Sequence, residues 1–183
     1  MRCGRDRGAP PSFGGATCAS LGFPAGGSLT CAPNCSAVTG RDRLSLRAEF
    51  AIPSAFGTLH PATAGMSLLV GDDAGGNKLA LTIPPGAHWS ERRGRWLYRD
   101  RAGSVGGIRK LVITDDSRGG VPGVDVSVTG RNGSYPLAFA DLPLAVTIVL
   151  GDATAGQAGS CGRRSFDAGS CANMRGGARL VCH

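Results

Sequence analysis

A chain of 183 residues, 42% of them hydrophobic, holds enough apolar material for one ordinary core plus a small cross-linked appendage. Thirty Gly and eleven Pro punctuate it too often for long helices, and no apolar run approaches the roughly 20 residues of a membrane-crossing helix. The formal net charge of +7 raises an anionic partner. Yet Lys78 and Lys110 are the only lysines, and Arg, Ala and Gly enrichment also follows from GC-rich coding, so nucleic acid is not expected.

Residues 1 to 40 are dense in Gly, Pro, Ser and Cys and lack hydrophobic periodicity, which reads as a loop-rich, disulfide-held head before a body over residues 41 to 183. All seven cysteines lie near the two ends: Cys3, Cys18, Cys31 and Cys35 in the head, Cys161, Cys171 and Cys182 in the tail. Structural disulfides persist in oxidising compartments, so the pattern predicts a protein exported to the cell surface or the medium. Zinc, the competing use of clustered cysteines, needs four ligands at finger-like spacing, and the head contains no His. The expected disulfide cysteines are Cys18, Cys31, Cys35, Cys161, Cys171 and Cys182, with Cys3 the candidate unpaired thiol. The opening Met-Arg-Cys-Gly-Arg-Asp-Arg-Gly carries the positive charge of an export signal without its apolar core. A signal peptide and a partner for Cys3 are therefore expected upstream of Met1.

A short strand is expected at Ser28 to Cys31. From Leu44 onward the pattern has period two, which puts alternate side chains on one face of a pleated strand. Leu44, Leu46, Ala48 and Phe50 make the first such run; Met66, Leu68 and Val70 the second; Leu79, Leu81 and Ile83 the third. The Gly-rich stretch 71 to 77 joins the last two as a hairpin. Trp96 and Tyr98, Leu111 and Ile113, and Val124, Val126 and Val128 mark three more strands, Leu144 to Leu150 gives the clearest alternation, and Leu180 with Cys182 is expected to add an edge strand. Seven or eight short strands separated by turn residues predict an all-β sandwich of Ig-like size, with a β-barrel as the alternative.

The run Gly14-Gly15-Ala16-Thr17-Cys18-Ala19-Ser20-Leu21-Gly22-Phe23-Pro24, the Leu29-Thr30-Cys31-x3-Cys35 step and a β-body containing Trp96-Leu97-Tyr98-Arg99-Asp100 occur in that order. In this the chain resembles the uncharacterised repeat units of large secreted proteins in myxobacterium-like bacteria, over residues 14 to 35 in the head and loosely over 44 to 161 in the body. Similar modules often carry a further cysteine just after the last head cysteine, where this chain has Ser36 to Arg43. The resemblance implies an exported surface or matrix protein, and it supplies no catalytic residues.

No Gly-x-Ser-x-Gly elbow accompanies His60, His88 or His183, and Ser67, Ser90 and Ser104 sit in ordinary strand or loop contexts, so no catalytic residue is assigned. Asp72, Asp73 and Asn77 in one turn, and Asp115 and Asp116 in another, are the weak calcium candidates. Neither reproduces an EF-hand, and turn chemistry explains them without metal. The surface candidate is the segment where Trp89 and Trp96 interleave with Arg92, Arg93, Arg95 and Arg99, since aromatic faces stack on sugars and arginines pair with carboxylate or phosphate. Strand alternation offers the opposite arrangement, with the rings inward and the arginines outward. Cys161, Cys171 and Cys182 are expected to staple the tail to the body rather than to act as nucleophiles. The functional expectation is a non-enzymatic structural or adhesive surface module of a longer secreted protein. Its partners would be surface polysaccharide or other domains of the same polypeptide. The alternatives are a carbohydrate- or anionic-polymer-binding module and an accessory domain of a secreted enzyme.

Overall fold

The computed structural model describes residues 19–20, 28–32, 40–72, 76–151, 155, 158–174 and 179–183. Among them are thirteen strands: β1 (Ala19–Ser20), β2 (Leu29–Ala32), β3 (Asp42–Ala51), β4 (Met66–Asp72), β5 (Asn77–Ile83), β6 (Trp89–Glu91), β7 (Arg95–Arg99), β8 (Ile108–Asp115), β9 (Gly123–Gly133), β10 (Leu144–Leu150), β11 (Cys161–Phe166), β12 (Cys171–Met174) and β13 (Arg179–Cys182). They form a five-stranded sheet, order β1-β11-β10-β4-β5, and an eight-stranded sheet, order β12-β13-β2-β3-β9-β8-β7-β6. Every pairing is antiparallel except β1 with β11. Neither sheet closes on itself, so the all-β fold is a sandwich and not the barrel.

The alternating residues do what their period dictates. In β3, Leu44, Leu46, Ala48 and Phe50 are buried while Arg43, Ser45, Arg47 and Ala51 are exposed. The facing layer supplies Met66, Leu68 and Val70 from β4 and Leu144, Val146, Ile148 and Leu150 from β10, all in one apolar core. Six of the seven residues of β10 are buried, because this central strand is covered on both faces; its near-continuous Leu-Ala-Val-Thr-Ile-Val-Leu sequence suits that position. The expected hairpin at 71 to 77 is the antiparallel β4–β5 pair.

Two expectations change. Leu180 and Cys182 lie in β13, which is flanked by β12 and β2; the edge belongs to β12. The expected seven or eight strands leave out short elements without visible alternation, such as β6, β11 and β12. Residues 1 to 40 contribute two of the described strands: β1 extends the smaller sheet and β2 lies between β3 and β13 in the larger. Cys171 and Cys182 face each other across β12 and β13 and form a disulfide. Cys31 and Cys161 are also disulfide-bonded.

Candidate functional site

The outer face of the eight-stranded sheet is where the register brings chemistry together. Arg95, Leu97 and Arg99 of β7, Lys110, Val112 and Thr114 of β8, Asp125, Ser127, Thr129 and Arg131 of β9, and Arg43, Ser45, Arg47 and Glu49 of β3 alternate with the buried residues and so point away from the core. Cross-strand pairing sorts them into rows. One row runs Arg95–Thr114–Asp125–Glu49 and the next Leu97–Val112–Ser127–Arg47. A third runs Arg99–Lys110–Thr129–Ser45–Thr30 across five strands, and beyond it Arg131 of β9 stands opposite Arg43 of β3.

The face is therefore polarised along the strands. At one end Asp125 and Glu49 are directly opposed, a like-charge pair, and each has an arginine: Arg47 contacts Asp125 at 2.8 Å and Arg118 approaches Glu49 at 3.8 Å. At the other end two cationic pairs are directly opposed, Arg99 with Lys110 and Arg43 with Arg131. All four side chains are exposed, and among the described residues none of them has an ion pair. Like charges directly opposite across strands destabilise a sheet. Among the described residues, counter-ions relieve that at the acidic end only.

The sequence-derived surface candidates divide. Trp89 and Trp96 are only 6% and 7% exposed, and the Trp89 indole N–H donates to the Pro84 carbonyl at 2.9 Å. Neither ring offers a stacking face, which corrects their place among the ligand-surface residues; alternation turned them inward. Arg92, Arg93, Arg95 and Arg99 are exposed, but they do not form one cluster. Arg92 and Arg93 occupy the β6–β7 turn beside Arg95, in the row that ends on Asp125 and Glu49, whereas Arg99 lies four residues along β7 beside Lys110. Sequence inspection missed Arg43, Lys110 and Arg131. Their outward position is legible from alternation, but their adjacency depends on a register no local pattern states.

The calcium candidates are placed apart. Asp72 ends β4 in the smaller sheet and accepts the Gly76 N–H at 2.6 Å; Asn77 is exposed, and Asp73 lies outside the described residues. Asp115 accepts both the backbone N–H and the hydroxyl of Ser117, which holds its carboxyl below the usual range, and Asp116 pairs with Arg118 at 2.8 Å. Among the described residues no group of three or more His, Cys, Asp or Glu is placed to hold a metal. His60 packs edge-on against Trp96, His88 Nδ1 meets the Arg99 carbonyl at 3.0 Å, and His183 is at the far tail.

Two carboxylates are buried. Asp100 accepts the backbone N–H groups of Ala102 and Ser104 at 2.9 and 2.6 Å and the Ser104 hydroxyl; that hydroxyl foremost holds its pKa below the ordinary value, against the opposing effect of burial. Asp42 accepts the Tyr135 N–H at 3.1 Å, while its other oxygen has no hydrogen-bond partner among the described residues, and burial raises its pKa. The Tyr135 phenol is pushed up to about 12, first by burial and then by the Asp42 charge. These groups anchor the 101 to 107 loop and the end of β9. An open recess of 320 Å³ is lined by Phe50, Val121 and the paired Arg118 and Glu49. No family model, curated protein or solved structure matches the chain.

Proposed function

We propose that this chain is a non-enzymatic, disulfide-stapled β-sandwich module of an exported protein, acting at the cell surface or in the medium in a structural or adhesive role. The observation that carries the reading is the state of the cysteines: Cys31, Cys161, Cys171 and Cys182 are each disulfide-bonded, and they sit in strands of both sheets. Disulfides of this kind survive in oxidising compartments and are reduced in the cytosol. The resemblance of residues 14 to 35 to secreted repeat units points the same way. The non-enzymatic part is supported by His60, which packs edge-on against Trp96, and by His88, whose Nδ1 meets the Arg99 carbonyl.

Mass spectrometry on the protein recovered separately from source cells and medium, with thiol alkylation before reduction, tests this. Extracellular chain with Cys171, Cys182, Cys31 and Cys161 protected from alkylation is the expected result. Recovery from the cytosol with those four thiols alkylated overturns the reading.

A further inference from the structure

We propose that the cationic end of the outer sheet face, centred on Arg43, Arg131, Arg99 and Lys110, is a binding site for an acidic polysaccharide. The preference for a polysaccharide over other polyanions rests in part on the surface-module reading above; the site itself rests on geometry.

Two like-charged pairs stand directly opposed on adjacent strands with no acidic partner among the described residues, on the same face where the opposed Asp125 and Glu49 have both acquired arginines. The described residues thus leave one set of charges to be neutralised from outside them. A row of carboxylates or sulfates laid across the strands would do so, and guanidinium groups donate two parallel hydrogen bonds to such anions. Four strands at about 4.8 Å spacing give a track of roughly 14 Å from β7 to β3. Between the cations lie Thr129 and Ser45, joined by Thr30 on β2, hydroxyls suited to the hydroxyl groups of a sugar chain.

The ligand class follows from what this face presents. Single-stranded nucleic acid is held by aromatic platforms as well as cations, and on this face the rings of Trp89, Trp96 and Tyr98 are turned into the core. An anionic membrane surface is bound by apolar insertion together with basic residues, while the large exposed apolar residues Val121, Phe139 and Met174 are not among the residues of these rows. A flat track of cations and hydroxyls matches an acidic sugar polymer.

The test uses the purified, oxidised full chain and polygalacturonate as probe, with neutral dextran, a dT oligonucleotide and phosphatidylglycerol vesicles as comparisons. Wild type is expected to bind polygalacturonate, more weakly as salt rises, and not dextran. The double variant Arg43→Ser/Arg131→Ser is expected to lose roughly 10- to 100-fold in affinity. The variant Arg92→Ser/Arg93→Ser removes the same charge from the opposite end and is expected to stay within about twofold. Arg131→Glu, which faces Arg43 with an opposite charge, is expected to raise the melting temperature by roughly 1 to 3 °C while abolishing binding. Equal losses in the two double variants would show a general effect of net charge and overturn the site. Absence of polygalacturonate binding, or tighter binding to the oligonucleotide or the vesicles, overturns the ligand class. Neither result bears on where the protein resides, and a reduced cytosolic chain would overturn the export reading without touching the binding result.

Discussion

Asp42 and Asp100 are both buried, 2% and 3% exposed, yet their pKa values move in opposite directions. The difference is the number of donors: Asp100 sits at the start of a turn that aims several N–H groups and a hydroxyl at it, whereas Asp42 receives one N–H and leaves an oxygen without a partner. The lowered value of Asp100 means its contribution is present above the unfolded value and disappears as pH falls through the folded one. Asp100→Ala should therefore cost roughly 2 to 3 kcal/mol near pH 7 and far less at the acid limit, read by urea unfolding at both pH values. Asp42 has the reverse sign: its raised folded value makes its contribution greatest below the unfolded value of 3.8 and diminishing as pH rises through the folded value. Asp42→Asn keeps the acceptor for Tyr135 and is expected to gain about 1 kcal/mol at pH 7, with the gain vanishing in acid. A destabilised Asp42→Asn at pH 7 would show that the ionised carboxylate is better accommodated than its unpartnered oxygen indicates.

Among the elements, β9 is closely packed at its glycines. A Cβ on Gly130 would collide with the Tyr135 hydroxyl, and one on Gly107, at φ 80°, would come within 2.7 Å of the Gly133 nitrogen. Gly130→Ala is expected to destabilise by roughly 1 to 3 kcal/mol, visible as a shifted denaturation midpoint with an unchanged slope. The β12–β13 hairpin is the other element with a measurable device. Its disulfide joins positions 11 residues apart, so Cys171→Ser/Cys182→Ser should cost roughly 2 to 3 kcal/mol by the chain-entropy argument. The long alternating strands were legible because each repeats its period over three or four apolar positions. β6, β11 and β12 were not, since three to six residues such as Cys-Gly-Arg-Arg-Ser-Phe carry no period and are made strands only by their neighbours.

At the scale of the whole molecule, β2 from the first forty residues and β13 from the last five pair with each other inside the larger sheet, so cross-links at the two ends act on the sandwich itself. Full reduction by excess dithiol is accordingly expected to lower the melting temperature by more than Cys171→Ser/Cys182→Ser does, since Cys31 and Cys161 are also released. Equal shifts in calorimetry would mean that those two disulfides contribute nothing to the sandwich. The sequence alone determined the all-β class, the positions of the long strands and which of their residues face inward, because alternation and turn chemistry are local properties of the chain. It also determined that Trp96 and Tyr98 share one face. Which cations lie side by side was decided only by the tertiary structure: Arg43 meets Arg131 across 88 positions of chain because the β3–β9 register sets them opposite. Register depends on the summed burial of whole strands, and no short stretch of sequence contains it.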